Sequence, residues 1–160
     1  MNRIGWHVFF MGVAELAAKR SRDLNTQVGC CIVKENKIIS TGYNGMPRTC
    51  DDSDLPIGRE GKWLETKYPY VVHSELNAIL NAPTTDLRGC KIFVTLFPCC
   101  ECAKAILQSG IKEVYYLEDK HPDDDIYVAA KRMFKLSNIK VEKMNSCLEY
   151  LYDTRKESSK

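Results

Sequence analysis

Apolar positions along this chain change their period several times, and each change marks a structural element. Trp6, Phe9, Phe10, Val13, Leu16 and Ala17 recur at helical spacing, which predicts an amphipathic helix over residues 6–18 with those six side chains on its core face. Val28 to Lys34 and Lys37 to Tyr43 are β-branched runs separated by Glu35-Asn36, a polar pair suited to a tight hairpin. From Asn44 to about Tyr70 the pattern dissolves into a polar stretch rich in Gly, Pro and Asp, longer than a connection requires. Helical period returns from Ser74 to Asn81 or Ala82, where Pro83 stops it. Lys91 to Leu96 reads as a third strand that runs straight into Pro98-Cys99. A third helix over Cys99 to Ser109 ends at Gly110, a plausible C-cap. A fourth strand (Glu113 to Leu117), a fourth helix (Ile126 to Leu136) and a fifth strand (Ile139 to Lys143) complete the order.

Strands that alternate with helices in the second half require right-handed crossovers, so the third, fourth and fifth strands should pair in parallel. The leading hairpin makes the sheet mixed. The expected fold is a three-layer α/β/α domain around a five-stranded mixed sheet with helices on both faces. A chain of 160 residues supports one such core and not two. A single domain is therefore expected over residues 1–152, with 153–160 a frayed, disordered tail. The acidic stretch Glu118 to Asp125 reads as a solvated connection.

Two short motifs carry the chemistry: His73-Ser74-Glu75 and Pro98-Cys99-Cys100-Glu101-Cys102, each at the head of an apolar run. Zinc accepts imidazole nitrogen and thiolate sulfur, and a catalytic zinc keeps three protein ligands and an open fourth position. His73, Cys99 and Cys102 supply three such ligands. Pro98 suits the first helical position or the residue leading into a helix, which puts Cys99 in the first turn. Residues three apart share a helix face, so Cys99 and Cys102 aim at one ion while Cys100 points elsewhere. The positive end of the helix dipole favours the thiolate form of both. Glu75 sits close enough to exchange protons with water at the metal without ligating it. A lone C-x-x-C would be a redox pair or half of a structural site, and a lone H-x-E would be a surface helix start. Their occurrence together and in this order is the signature of zinc-dependent nucleobase deaminases.

Composition narrows the partners. The net charge is +2, from 23 basic and 21 acidic residues scattered without a stripe, which argues against binding long nucleic acid. A small anionic substrate needs only a few local cations. The eight cysteines include the adjacent pairs Cys30-Cys31 and Cys99-Cys100, unlike a secreted disulfide framework. Cys30, Cys31, Cys90 and Cys147 read as small buried apolar groups. Cys50, in the polar loop, is either a plain thiol or a member of a second metal site. The stretch from Trp6 to Ala18 is apolar enough to resemble a signal sequence, yet His7 and Glu15 interrupt it and no basic leader or cleavage site is evident. No run is long enough to span a membrane, and a cytoplasmic location is expected.

Beyond the metal motifs the chain resembles the deoxycytidylate deaminases of the cytidine-deaminase superfamily. The likeness runs through Ser21-Arg22-Asp23, Gln27-Val28-Gly29 and Thr41-Gly42-Tyr43-Asn44-Gly45-Met46-Pro47. It continues through Lys67-Tyr68-Pro69-Tyr70-Val71-Val72-His73 and Leu96-Phe97-Pro98-Cys99, and thins past the fourth helix. Ser74 departs from it: the family commonly has alanine there, and because serine is not a ligand, little consequence is expected. The resemblance implies hydrolysis of dCMP to dUMP and ammonia for thymidylate synthesis, with Glu75 taking a proton from the water that attacks C4. It also implies that Asn44 holds the deoxyribose, although Asn44-Gly45 alone would read as a turn.

Tyr115 or Tyr116 could stack on the base. Strand alternation allows only one to face the pocket, and Tyr116 is the expected one. Arg22 and Asn25 are the candidates for the phosphate. The family further implies a hexamer activated by dCTP and inhibited by dTTP, with Mg2+ accompanying the triphosphate. The effector site would be Gly42, Tyr43, Asn44 and Gly45, where a branched side chain at Gly45 should blunt the response if the backbone there needs positive φ or close approach.

Three rivals share part of this pattern. A deaminase of tRNA adenosine or of a free base has the same metal motif and a different pocket. A riboflavin-pathway deaminase would normally carry a reductase domain, for which there is no room. A zinc-stabilised binding module would use four protein ligands and leave no open position.

Overall fold

The computed structural model describes residues 3–50 and 53–146. Cys147, the boundary expected at residue 152 and the tail over 153–160 lie outside the described residues. The elements follow the order α1 (Trp6–Ala18), β1 (Gly29–Lys34), β2 (Lys37–Tyr43), α2 (Ser74–Asn81), β3 (Lys91–Leu96), α3 (Cys100–Gln108), β4 (Glu113–Glu118), α4 (Asp125–Leu136) and β5 (Lys140–Lys143). A short 3-10 turn, Trp63–Glu65, lies inside the long loop. The sheet order is β2-β1-β3-β4-β5, with β1 antiparallel to both its neighbours and β3, β4 and β5 parallel. The β1–β2 turn places Glu35 and Asn36 at φ 50° and 59°, the left-handed pair that a two-residue type I′ hairpin demands.

The central strands are buried on both faces, which is why they read as nearly continuous apolar runs. Cys30, Ile32, Ile92, Val94 and Val114 point to the side covered by α2, α3 and α4. Cys31, Val33, Phe93 and Tyr115 point the other way, to α1. Three layers result, with one described helix on one face and three on the other. Among the described residues no helix is long and apolar enough to cross a membrane.

The face that α1 buries differs from the expected one. Phe10, Met11, Ala14, Glu15 and Ala18 are buried, whereas Trp6, Phe9 and Leu16 are exposed. The helix is apolar nearly all round, so periodicity does not select its face, and close approach does. A Cβ at Gly29 would lie 1.9 Å from the Ala14 carbonyl oxygen, so the small side of α1 docks on β1 where β1 has no side chain. The same device seats α2 on β2: a Cβ at Gly42 would lie 2.2 Å from the Ser74 carbonyl oxygen and 2.5 Å from the Ala78 nitrogen. This contact fixes the first turn of α2, which carries the chemistry.

Candidate active site

Two helices begin at the same place in space. His73 is the N-cap of α2 and Cys99 the N-cap of α3, both with extended backbones, and Cys102 lies in the first turn of α3. Cys99 therefore stands one position outside the helix, not within its first turn as expected. Pro98 is the residue leading in: it biases Phe97 toward extended backbone and so carries the direction of β3 into the cap. His73 is held from the other side, because Val72 pairs with Gly45 through two backbone hydrogen bonds of 2.8 and 3.1 Å.

The three donor atoms converge. Cys99 Sγ lies 3.4 Å from His73 Nδ1, Cys102 Sγ lies 3.6 Å from it, and all three fall within 4.8 Å of one another. Ligands at the zinc–nitrogen and zinc–sulfur bond lengths in a tetrahedron are about 3.5 Å apart, so the set fits one zinc ion. The electrostatics agree. A hydrogen bond from Cys102, helped by His73, pulls the Cys99 thiol down to about 4. The bond to Cys99 and burial push Cys102 well up, and the bond to Cys99 raises His73. A cation would replace the proton these groups share, so metal uptake is coupled to proton release.

Glu75, the second residue of α2, is buried, with 4% of its surface accessible, and lines the same cleft as His73 and Cys99. Burial raises its carboxyl above the ordinary range, against the opposing pull of His73, of its own backbone N–H and, less, of a hydrogen bond from Ser74. That bond, 2.9 Å from Ser74 Oγ to Glu75 Oε2, gives the serine a contact the sequence did not suggest. The cleft holds about 350 Å³ at the carboxyl ends of β3 and β4, where ligands of open α/β sheets bind.

Other expected residues are placed differently. Asn44 lines the cleft, with its Oδ1 accepting from the Val28 N–H at 2.8 Å and its Nδ2 donating to the Thr26 carbonyl at 2.9 Å. Tyr116 does not line it: its ring meets Phe97 edge-on at 4.9 Å, and Tyr115 faces α1. Arg22 and Asn25 do not line it either. The cations that do are Arg59, Lys67 and Lys120, and the aromatic rings are Phe97, Tyr127, Tyr68 and His121. Arg59 donates to Thr26 Oγ1 at 2.8 Å, and Lys67 is buried in an ion pair with Asp23. Sequence reasoning missed these, although Lys67-Tyr68 lay within the stretch of resemblance and the length of the 44–70 loop was a signal that it had work to do.

A second cavity of about 620 Å³ adjoins the cleft, sharing Asp23, Asn44, Lys67 and Val71 with it. Arg20, Arg22, Arg48, Tyr43 and Gly45 line it. Gly42 does not, since its open side is filled by α2. Gly45 lacks a positive φ, and a Cβ there would meet only the Tyr43 ring at 3.7 Å, so the chain's own conformation and packing do not demand glycine at this position. Cys50 also lines this cavity, and no second group of metal donors is present among the described residues.

Comparison with known proteins gives a consistent picture. The model of the cytidine and deoxycytidylate deaminase zinc-binding region matches residues 4–118. A deoxycytidylate deaminase of Homo sapiens is 54% identical over 141 residues, covering 86% of this chain and 79% of its own length. That of Mus musculus is 53% identical with the same coverage. The crystal structure of the dCMP deaminase from the cyanophage S-TIM5 in complex with dCMP and dUMP superposes with a TM-score of 0.68 at 29% identity, over 85% of this chain and 94% of that one. With a zinc-binding-region model that spans residues 4–118, which include the His73, Cys99 and Cys102 donors, and with relatives of this identity and coverage, the chain belongs to the cytidine and deoxycytidylate deaminase family.

Proposed function

We propose that this protein converts dCMP and water to dUMP and ammonia, supplying dUMP for thymidylate synthesis. The observation that carries the reading is the buried Glu75 carboxyl, which lines the cleft beside His73 and Cys99, whose donor atoms converge with that of Cys102. Those three residues would hold zinc, which when bound supplies the Lewis acidity that makes water nucleophilic at neutral pH. Glu75 takes a proton from the attacking water and delivers it to N3 of the pyrimidine as C4 becomes tetrahedral. It then takes the remaining proton from the new C4 hydroxyl and passes it to the amine, so that the C4–N bond breaks to ammonia as the carbonyl forms. A carboxyl raised by burial suits both directions of transfer. Asn44 retains a second lone pair on Oδ1 for a deoxyribose hydroxyl. Phe97 and Tyr127 wall the cleft with rings against which a base can pack.

The phosphate falls to Arg59, with Lys120 assisting, in place of Arg22 and Asn25. Arg59 reaches the cleft from the long loop already oriented by Thr26, whereas Lys67 is committed to Asp23. A charge-assisted bond to phosphate is worth about 1.5–3 kcal/mol, or roughly ten- to hundredfold in specificity. Profiling dCMP, deoxycytidine, dCTP and cytosine tests the substrate assignment: dCMP should be processed far faster than deoxycytidine. Arg59→Ala should raise KM for dCMP and leave deoxycytidine turnover unchanged. Equal specificity constants for the nucleotide and the nucleoside would point to a nucleoside deaminase.

The regulatory expectation has physical support in the 620 Å³ cavity, whose Arg20, Arg22 and Arg48 suit a triphosphate and whose wall is shared with the cleft. Tyr43, Asn44 and Gly45 remain on it. In kinetic assays on the whole chain, dCTP with Mg2+ should make a sigmoidal dCMP curve hyperbolic and dTTP should do the opposite. Hyperbolic kinetics indifferent to both would remove the claim and leave the catalytic assignment intact. Family resemblance supports a homo-oligomer, a hexamer, and the exposed Trp6, Phe9 and Leu16 of α1 offer apolar surface for assembly. The unbridged state of the described cysteines fits a reducing compartment, the cytoplasm.

A further inference from the structure

Ser74, to which the sequence assigned little consequence, has a hydroxyl with a defined partner in the structure. Its side chain is wholly buried, and Oγ donates to Glu75 Oε2 at 2.9 Å. We propose that Ser74 is a positioning residue for the proton transfer, its hydroxyl fixing the rotation of the Glu75 carboxyl so that Oε1 faces the reacting atoms.

The terminal torsion of a glutamate is broad, so burial alone leaves the plane of the carboxyl loosely defined. Proton transfer requires an oxygen within hydrogen-bond reach of each partner in turn, first the water and then the ring nitrogen and the amine. A donor bonded to one carboxyl oxygen selects one orientation of the plane before substrate arrives, and orientation set in advance lowers the barrier of the chemical step. The donor is itself anchored. The Ser74 backbone sits in the first turn of α2, locked against β2 by the contact at Gly42, so the hydroxyl is not carried by a mobile segment. Ser74 contributes no metal ligand, and although it lies in the cleft wall its hydroxyl is engaged by Glu75 Oε2, which makes the carboxyl the group through which it acts.

The inference rests on Glu75 being the proton-transfer group, and the experiment separates the two. Ser74→Ala keeps the Cβ and raises helix propensity while removing a single hydroxyl from the first turn of α2, so the fold is expected to hold. It should keep its zinc content and its KM for dCMP while kcat falls roughly ten- to hundredfold, the range for losing one hydrogen bond to a charged group. Affinity for a dCMP analogue hydrated across N3 and C4, which resembles the transition state, should fall by a similar factor, and affinity for dUMP should not change. In a Glu75→Gln background the same Ser74→Ala change should cost nothing further, because its effect passes through the carboxylate. Unchanged kcat in Ser74→Ala, or a loss that multiplies in full on Glu75→Gln, would overturn the positioning role. If Glu75→Gln itself remains active, the failure lies with the proposed mechanism instead.

Discussion

Glu75→Gln is expected to lower turnover of dCMP by roughly a hundred- to ten-thousandfold, the usual contribution of a positioned acid–base group, while zinc content and fold stay unchanged. The amide is nearly isosteric with the carboxylate, and its oxygen can still accept from Ser74. It cannot accept the proton of the attacking water, and it has none to return to the amine. Zinc retention is expected because the donors that converge are His73, Cys99 and Cys102, with Glu75 outside the set. Steady-state kinetics beside metal analysis of the purified protein separates lost chemistry from lost metal. If kcat falls less than tenfold with zinc in place, some other group carries the proton.

How much of this could be read from the sequence depended on whether the deciding force was local. Element bounds set by composition and turn chemistry were legible nearly to the residue: the apolar runs of β2, β3 and α1 begin and end where the elements do, and Glu35-Asn36 names its own turn. The metal donors were legible because each motif is short and held by a helix start. What eluded sequence reasoning was set by approach across the fold. An α1 that is apolar nearly all round gives no preferred face, and the choice fell to the missing Cβ of Gly29. Tyr116 was expected at the base but is turned against Phe97, a contact between the end of β3 and β4 that spacing cannot reveal. Arg59 and Lys67 reach the cleft from a loop whose path is decided by tertiary contacts such as Lys67 with Asp23. Ser74 was discounted because it cannot ligate zinc, and the structure instead gives its hydroxyl a bond to the carboxylate beside it.

Removing either thiol donor should take the metal with it. In Cys99→Ala and in Cys102→Ala, zinc content is expected to drop from about one ion per chain to near zero, with turnover lost in parallel, because two ligands cannot make up the three that a catalytic zinc requires. Cys100→Ala should keep both. The geometry makes the three cysteines separable even though they lie within four residues of one another. The N-cap position of Cys99 and the first-turn position of Cys102 bring their sulfurs to 3.4 and 3.6 Å from His73 Nδ1. Cys100, the first residue of α3, turns its sulfur away, 3.9 Å from Glu101 Oε1. Because Cys102 is buried and its thiol bonds to Cys99, Cys99→Ala also strips a buried polar group of its partner, so a lower thermal midpoint should accompany the metal loss. Zinc quantified in each variant after dialysis decides the matter: a Cys100→Ala protein lacking zinc while Cys99→Ala retains it would mean that α3 presents a different edge to the site.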